Sequence, residues 1–224
     1  MCSSDLAKPV AVIVPEGATL ARAANELQRA GAIRSAIRFR GFARLLGNGQ
    51  AIKAGEYAVP AHASASDVLT LLQEGRVRQR LVAVPEGFPS ILVHEALMKA
   101  DGLVGDVAVP AEGSILPDSY AYQKGDTRAS VVARMQKAMR DYLAAAWKRR
   151  KPGIAVSTPE QAIILASIVE KETGKPEERR KVAAVYANRL KRGMPLQADP
   201  TVIYPITKGK PLGRRILQSE LRAK

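Results

Sequence analysis

The sequence predicts an α+β fold in two parts, a small mixed unit over residues 7–80 and a helix-rich region over 81–224. Three observations carry this. A strand-turn-helix pattern occurs near the amino end and returns 70 residues later. From residue 128 onward, three helical patterns follow one another with short breaks between them. The composition is that of an ordinary globular protein, and 224 residues allow one or two domains with a sizeable core.

The first six residues, MCSSDL, match one reading frame of a sequencing-adapter end and are read as a non-native leader. Cys2, the one cysteine, falls within it, so no internal disulfide can form. Residues 10–31 read as a short strand, a turn and an amphipathic helix, and residues 80–102 follow the same plan. Val14-Pro15-Glu16-Gly17 recurs as Val84-Pro85-Glu86-Gly87, and Leu27 matches Leu97. The recurrence has two readings: a duplicated unit, or a turn that is built this way because glycine permits the bend. Between the copies lie a helix over about 35–46, an extended segment over 55–59 and a helix over about 66–75. Ser66 is the N-cap candidate of the last, and Val68, Leu69, Leu71 and Leu72 are its apolar face.

In the second part, Glu112 to Tyr122 reads as a turn and then an extended segment, with Tyr120 and Tyr122 on one side of it. The two tyrosines suit a core or the wall of a sugar groove. The helix over 128–150 has Val131, Val132, Met135, Ala138, Met139, Tyr142, Leu143 and Ala146 on one face, a core-packing pattern. Its basic end, Lys148 to Lys151, suits the negative carboxyl end of a helix, and also an anionic surface.

The densest signal lies in Ile163–Tyr204. Thr158 caps a helix with Pro159 at its first position; Gly174 and Pro176 end it. Apolar residues lie all round this helix, which predicts burial. At 100° per residue, Glu170 shares a face with Ile163, Ala166 and Ser167, two of them small enough to leave room for a ligand. Glu172 lies beside Leu165, Ile168 and Val169, without such room. A carboxyl in a partly apolar setting favours its protonated form and can serve as a general acid. A second helix is expected over 176–192, ended by Gly193, followed by a polar loop in which Pro200 favours an extended Asp199.

Net charge is +14, from 35 basic and 21 acidic residues, which favours anionic partners: nucleic acid, an anionic membrane surface or an acidic wall polymer. Ten aromatic residues leave little for base stacking, and no nucleic-acid-reading motif is present. No Gly-rich phosphate loop and no Gly-x-Ser-x-Gly elbow occurs, and the two histidines, His62 and His94, are isolated. No cofactor or metal is expected.

The runs ASIVEKETG, KVAAVYANRLKRGM and LQADPTVIY occur in order over about forty residues. They resemble the endolytic murein transglycosylases, the MltG or YceG-like family, and weaker similarity extends over most of the chain. The resemblance implies a small LysM-like module at 7–80 followed by a helix-rich catalytic domain at 81–224, incomplete at its carboxyl end. It implies peptidoglycan glycan strands as substrate and Glu170 as the catalytic acid/base. The implied reaction cleaves the β-1,4 bond between N-acetylmuramic acid and N-acetylglucosamine to leave 1,6-anhydro ends, limiting the length of nascent strands. Gln197, Asp199 and Thr201, with Asn188 on the second helix, are implied substrate contacts. By the same resemblance the partners are murein synthases (penicillin-binding proteins), with no nucleic acid. The protein would sit at the outer, periplasmic face of the bacterial inner membrane, anchored by an amino-terminal membrane helix missing from this chain. A non-catalytic peptidoglycan-binding scaffold is the alternative.

Overall fold

A computed structural model describes residues 8–46 and 49–221; the leader at 1–6, with Cys2, lies outside them. The fold is mixed α+β, as the sequence predicts. Its strands are β1 Val10–Val14, β2 Gly55–Val59, β3 Arg80–Ala83 and β4 Ser119–Tyr122. Its helices are α1 Leu20–Arg29, α2 Ala36–Leu46, α3 Ala65–Glu74, α4 Ser90–Lys99, α5 Arg128–Lys148, α6 Pro159–Glu172, α7 Arg179–Lys191, α8 Asp199–Thr207 and α9 Gln218–Leu221. The chain divides into two compact units. One holds the residues up to Arg80 together with Ala121–Gly125; the other holds Leu81–Tyr120 and Asp126 onward.

In the first unit, β1 and β2 pair antiparallel, with Val12 opposite Tyr57 and Val14 opposite Gly55. Alternation along β1 sends Val12 and Val14 inward, where they meet Leu27, Tyr57, Val59 and Leu72 in one core. Tyr57 keeps its hydroxyl satisfied there by donating to the Lys53 carbonyl at 2.6 Å. Glu56 is buried too, and the Arg80 guanidinium donates to it at 2.5 and 3.4 Å. Helix α3 is capped by Ser64 rather than Ser66. Ser64 and Asp67 form a reciprocal capping box, which satisfies two orphan amides where Ser66 would satisfy one.

In the second unit, α4 begins after Pro89, which offers no capping side chain; the Glu112 carboxylate accepts from the Ser90 amide at 3.0 and 3.1 Å instead. Burial first, and then the Glu112 carboxylate, push the Tyr204 hydroxyl of α8 above its usual value. The chain after α8 is tied to α4 again by Lys210 on Glu95 at 2.7 Å. Tyr120 donates to the Leu116 carbonyl at 2.7 Å, while Tyr122, which belongs to the first unit, is buried, the core alternative of the two read from the sequence. The stripe read along α5 is core only in its first half. Val131, Val132 and Met135 are buried, whereas Tyr142 is 58 % exposed, because the packed neighbours cover only the start of this 21-residue helix.

The recurrence in the sequence has a structural counterpart. Helices α1 and α4 are offset by 70 residues at both ends, and Leu27 and Leu97 are both fully buried. Gly17 and Gly87 take the same left-handed turn, with φ of 68° and 71°.

Candidate active site

Helix α6 carries the candidate carboxyl. Thr158 accepts from the Gln161 amide at 3.2 Å and Pro159 opens the first turn, as expected. The helix is not buried, however: Ile168 and Val169 are, while Ile164 is 61 % exposed. Its cover comes from one side, where Ile168 and Val169 pack with Tyr186 of α7 and Ala198. The helix ends at Thr173, in an extended conformation, so Gly174 is not needed as a left-handed terminator.

Thr173 then shapes the turn into α7. Its hydroxyl donates to Glu178 at 3.0 Å and accepts from the Lys175 amide at 3.1 Å. This hydrogen-bonded turn delays α7 to Arg179, three residues past the start expected at Pro176. Arg179 therefore lies at the amino end of α7, folded back toward the carboxyl end of α6.

There the Arg179 Nη2 meets Glu170, at 3.2 Å from Oε1 and 3.1 Å from Oε2. The same nitrogen is 3.6 Å from Glu86 Oε2, in the turn between β3 and α4. Glu170 is 30 % exposed and Arg179 36 %, whereas Glu86 is 73 % exposed. Arg179 Nε is buried without a hydrogen-bond partner. Gly87 closes the turn against the carboxyl: a Cβ there would stand 3.3 Å from Glu170 Cγ and 3.6 Å from Lys171 Nζ. The partly apolar setting expected for Glu170 is thus a guanidinium on one side and, on the other, the exposed Ala166 and Ser167.

Glu172 points elsewhere, as helical spacing requires. It is exposed and acts on the Tyr186 hydroxyl of α7. Burial first, and then the Glu172 carboxylate, push that hydroxyl above its usual value. Asp199 contributes to the same field. The polar loop expected around Asp199 is helix α8, and the extended residue is Ala198 rather than Asp199. Pro200, in the first turn, has no amide to leave unsatisfied, so it opens the helix. Gln197 sits at φ 52° and accepts from Arg189, which also donates to the Leu196 carbonyl at 2.6 Å. Thr201 donates to the Ala198 carbonyl at 2.6 Å. Gln197, Asp199 and Thr201 are thus gathered at the start of α8. Asn188 is exposed, about 200° round α7 from Tyr186, on the opposite face.

Two cavities adjoin these groups. One of about 260 Å³ is lined by Val84, Pro85, Glu86, Pro117, Asp118 and Ser119. The other, about 470 Å³, is lined by Asp199, Ile203, Leu212, Arg214 and Arg215 among others. Among the described residues no group of three or more His, Cys, Asp or Glu is placed to hold a metal ion.

Sequence reasoning missed Glu86, Gly87 and Arg179. The repeated Val-Pro-Glu-Gly was the available signal for the first two, and it was read as a turn. Arg179 was one of 35 basic residues, with nothing local to single it out.

Fold and site together define a two-unit α+β protein whose candidate carboxyl, Glu170, is held by a guanidinium near the carboxyl end of α6. The model of the YceG-like family matches residues 12–224, and the chain belongs to that family. A Streptococcus pneumoniae protein named endolytic murein transglycosylase is 26 % identical over 256 residues, covering 95 % of this chain and 45 % of its own. One of that name from Bacillus subtilis is 31 % identical over 135 residues, 60 % of this chain and 34 % of its own. The chain thus spans about half, or less, of the length of these curated relatives. The crystal structure of a Listeria monocytogenes protein described as yceG-like shares the fold at a TM-score of 0.51. It has 19 % identity, over 96 % of this chain and 80 % of that one.

Proposed function

We propose that this chain is the glycan-cleaving part of an endolytic murein transglycosylase and that Glu170 is its acid/base. The observation that carries this reading is Glu170 itself: a half-buried carboxyl, held by Arg179, with an open face at Ala166 and Ser167. Membership of the YceG-like family and the names of the relatives support it.

Glu170 first gives a proton to the oxygen leaving the anomeric carbon between N-acetylmuramic acid and N-acetylglucosamine. It then takes a proton from the muramyl C6 hydroxyl, which attacks the same carbon and closes the 1,6-anhydro ring. One carboxyl suffices because the nucleophile belongs to the substrate, whereas most glycosidases flank the bond with two. Asp199, which lines the 470 Å³ cavity, takes N-acetyl and hydroxyl groups together with Gln197 and Thr201, with Asn188 an outer contact on the other face of α7. In this reading the first unit, whose order begins strand-helix-helix-strand, is a LysM-like glycan-binding module over 7–80, and 81–224 is the catalytic part. The enzyme works at the outer face of the inner membrane with murein synthases and limits strand length. Among the described residues no helix is long and apolar enough to cross a membrane.

Glu86 is a second carboxylate within reach of the same guanidinium, so a two-carboxyl hydrolase is the competing reading. Mass spectrometry of products from purified glycan strands separates the two. It should be run on this chain, on a form extended to the length of its relatives, and on Glu170→Gln versions of both. Anhydro-ended fragments that vanish in Glu170→Gln are expected. Reducing ends mean hydrolysis; strands left whole by both folded forms overturn the enzyme reading and favour a binding scaffold.

A further inference from the structure

We propose that Arg179 is a positioning residue shared by two carboxylates, and that Glu86 receives it whenever Glu170 carries a proton; this rests on Glu170 being the acid/base. A carboxylate held in an ion pair has no proton to give. Once Glu170 is protonated it loses most of its attraction for the guanidinium, which must then find another partner or stand unpaired. Arg179 is poorly placed to stand unpaired, because its Nε is already buried without an acceptor.

The geometry supplies one replacement. Arg179 Nη2 lies 3.1 and 3.2 Å from the Glu170 oxygens and 3.6 Å from Glu86 Oε2, so a single nitrogen faces both carboxylates. Glu86 is the most exposed of the three and can close the remaining few tenths of an ångström by side-chain rotation alone. Glu178, the nearest carboxylate in sequence, is committed to Thr173 and to Lys175. From its own helix Glu170 has Lys171 beside the Gly87 turn. Among the described residues, the charged groups that approach Glu170, its partner or its turn are Arg179 from α7, Glu86 from the β3–α4 turn and Lys171 from α6.

The repeated turn gives the arrangement an internal comparison. At Gly87 an added Cβ would meet Glu170; at Gly17, in the same turn of the first unit, it would meet nothing within 4 Å. The turn is a general device of this chain, and its second copy carries a carboxylate into the site.

Glu170→Gln mimics the neutral acid, and NMR hydrogen exchange of the Arg179 guanidinium reads its partner directly in the whole chain. In Glu170→Gln the guanidinium should stay protected, because Glu86 takes it. Adding Glu86→Gln should speed its exchange by up to about fivefold, the factor for losing an exposed ion pair of at most about 1 kcal/mol. Glu86→Gln alone should leave it protected by Glu170. Loss of protection in Glu170→Gln alone, or no further change when Glu86→Gln is added, overturns the proposal. Glycan cleavage adds an independent readout. Glu86→Gln should lower kcat more than it changes KM, whereas Glu16→Gln, in the first copy of the turn, leaves kcat unchanged. Should Glu170→Gln still cleave, the acid/base reading falls while the exchange result stands on its own.

Discussion

Replacing Gly87 with alanine tests the close approach of the turn to Glu170, and Gly17→Ala is its matched control. Both glycines have φ near +70°, a region that costs an ordinary residue about 1–2 kcal/mol. Gly17→Ala adds nothing to that, since its Cβ meets open space. Gly87→Ala places a Cβ 3.3 Å from Glu170 Cγ, tight enough to push the side chain by a few tenths of an ångström. The Arg179 contacts at 3.1 and 3.2 Å lengthen with it; for a pair exposed to this degree the extra cost is about 0.2–1 kcal/mol. Urea unfolding should therefore show two losses within about 1 kcal/mol of each other. Function should separate them. With Glu170 as the proposed acid/base, a displacement of this size costs on the order of tenfold in kcat, whereas Gly17→Ala should leave kcat unchanged. Exchange of the Arg179 guanidinium should also quicken only in Gly87→Ala. Equal effects of the two substitutions on rate and exchange would refute the placement of the turn against Glu170.

Glu56→Ala should destabilise the first unit by about 1–3 kcal/mol in urea unfolding, because it removes a buried carboxylate that accepts two charge-assisted hydrogen bonds from Arg80. Arg80, chiefly through its hydrogen bond, holds the Glu56 carboxyl below its ordinary value against the opposing effect of burial. A lowered folded value means that this stabilisation is present above the ordinary carboxylate range and is lost as pH falls through the folded value. The urea midpoint of wild type should thus drop more between pH 7 and acid than that of Glu56→Gln. Glu220 is held down to about 2, first by its hydrogen bond from Arg214, so the amides of α9 should keep their exchange protection until the pH approaches that value. Gly209→Ala should cost about 2–4 kcal/mol in the second unit, because Gly209 has φ 92° and its Cβ would run into the Pro89 ring; a thermal scan with no shift would contradict that packing.

The local signals in the sequence were good guides where a single residue decides the structure. Thr158 caps α6, Gly55–Val59 is a strand, and Leu27 and Leu97 are buried at matching positions. They were weaker where two local rules competed. Ser64 displaced Ser66 as a cap because Asp67 completes a box with it, and Pro200 opened a helix where an extended segment was expected. Burial of α6 and of the far half of α5 was overestimated for one reason: an apolar face shows what a helix can cover, and only the tertiary neighbours show what covers it. At the site, the opposite facing of Glu170 and Glu172 follows from helical spacing and was legible. Arg179 and Glu86 were not, since they reach Glu170 from 9 residues further along and from the turn after β3, distances that no local pattern encodes.

The split membership of β4 has a consequence for synthesis. Ala121–Gly125 completes the first unit, although the chain has by then left that unit at Arg80. Gln123, from this returning piece, stands where a side chain on Gly55 would reach. On a ribosome adding about 5–20 residues per second, the first unit must wait ~45 residues, about 2–9 s, for its last segment. A shortened gene ending after residue 80 would encode a unit lacking that segment, and one ending after residue 125 would also carry residues 81–120 of the second unit without its helices from α5 onward. The two units are thus made in an interleaved order, and the turn bearing Glu86 leaves the ribosome before the first unit is complete.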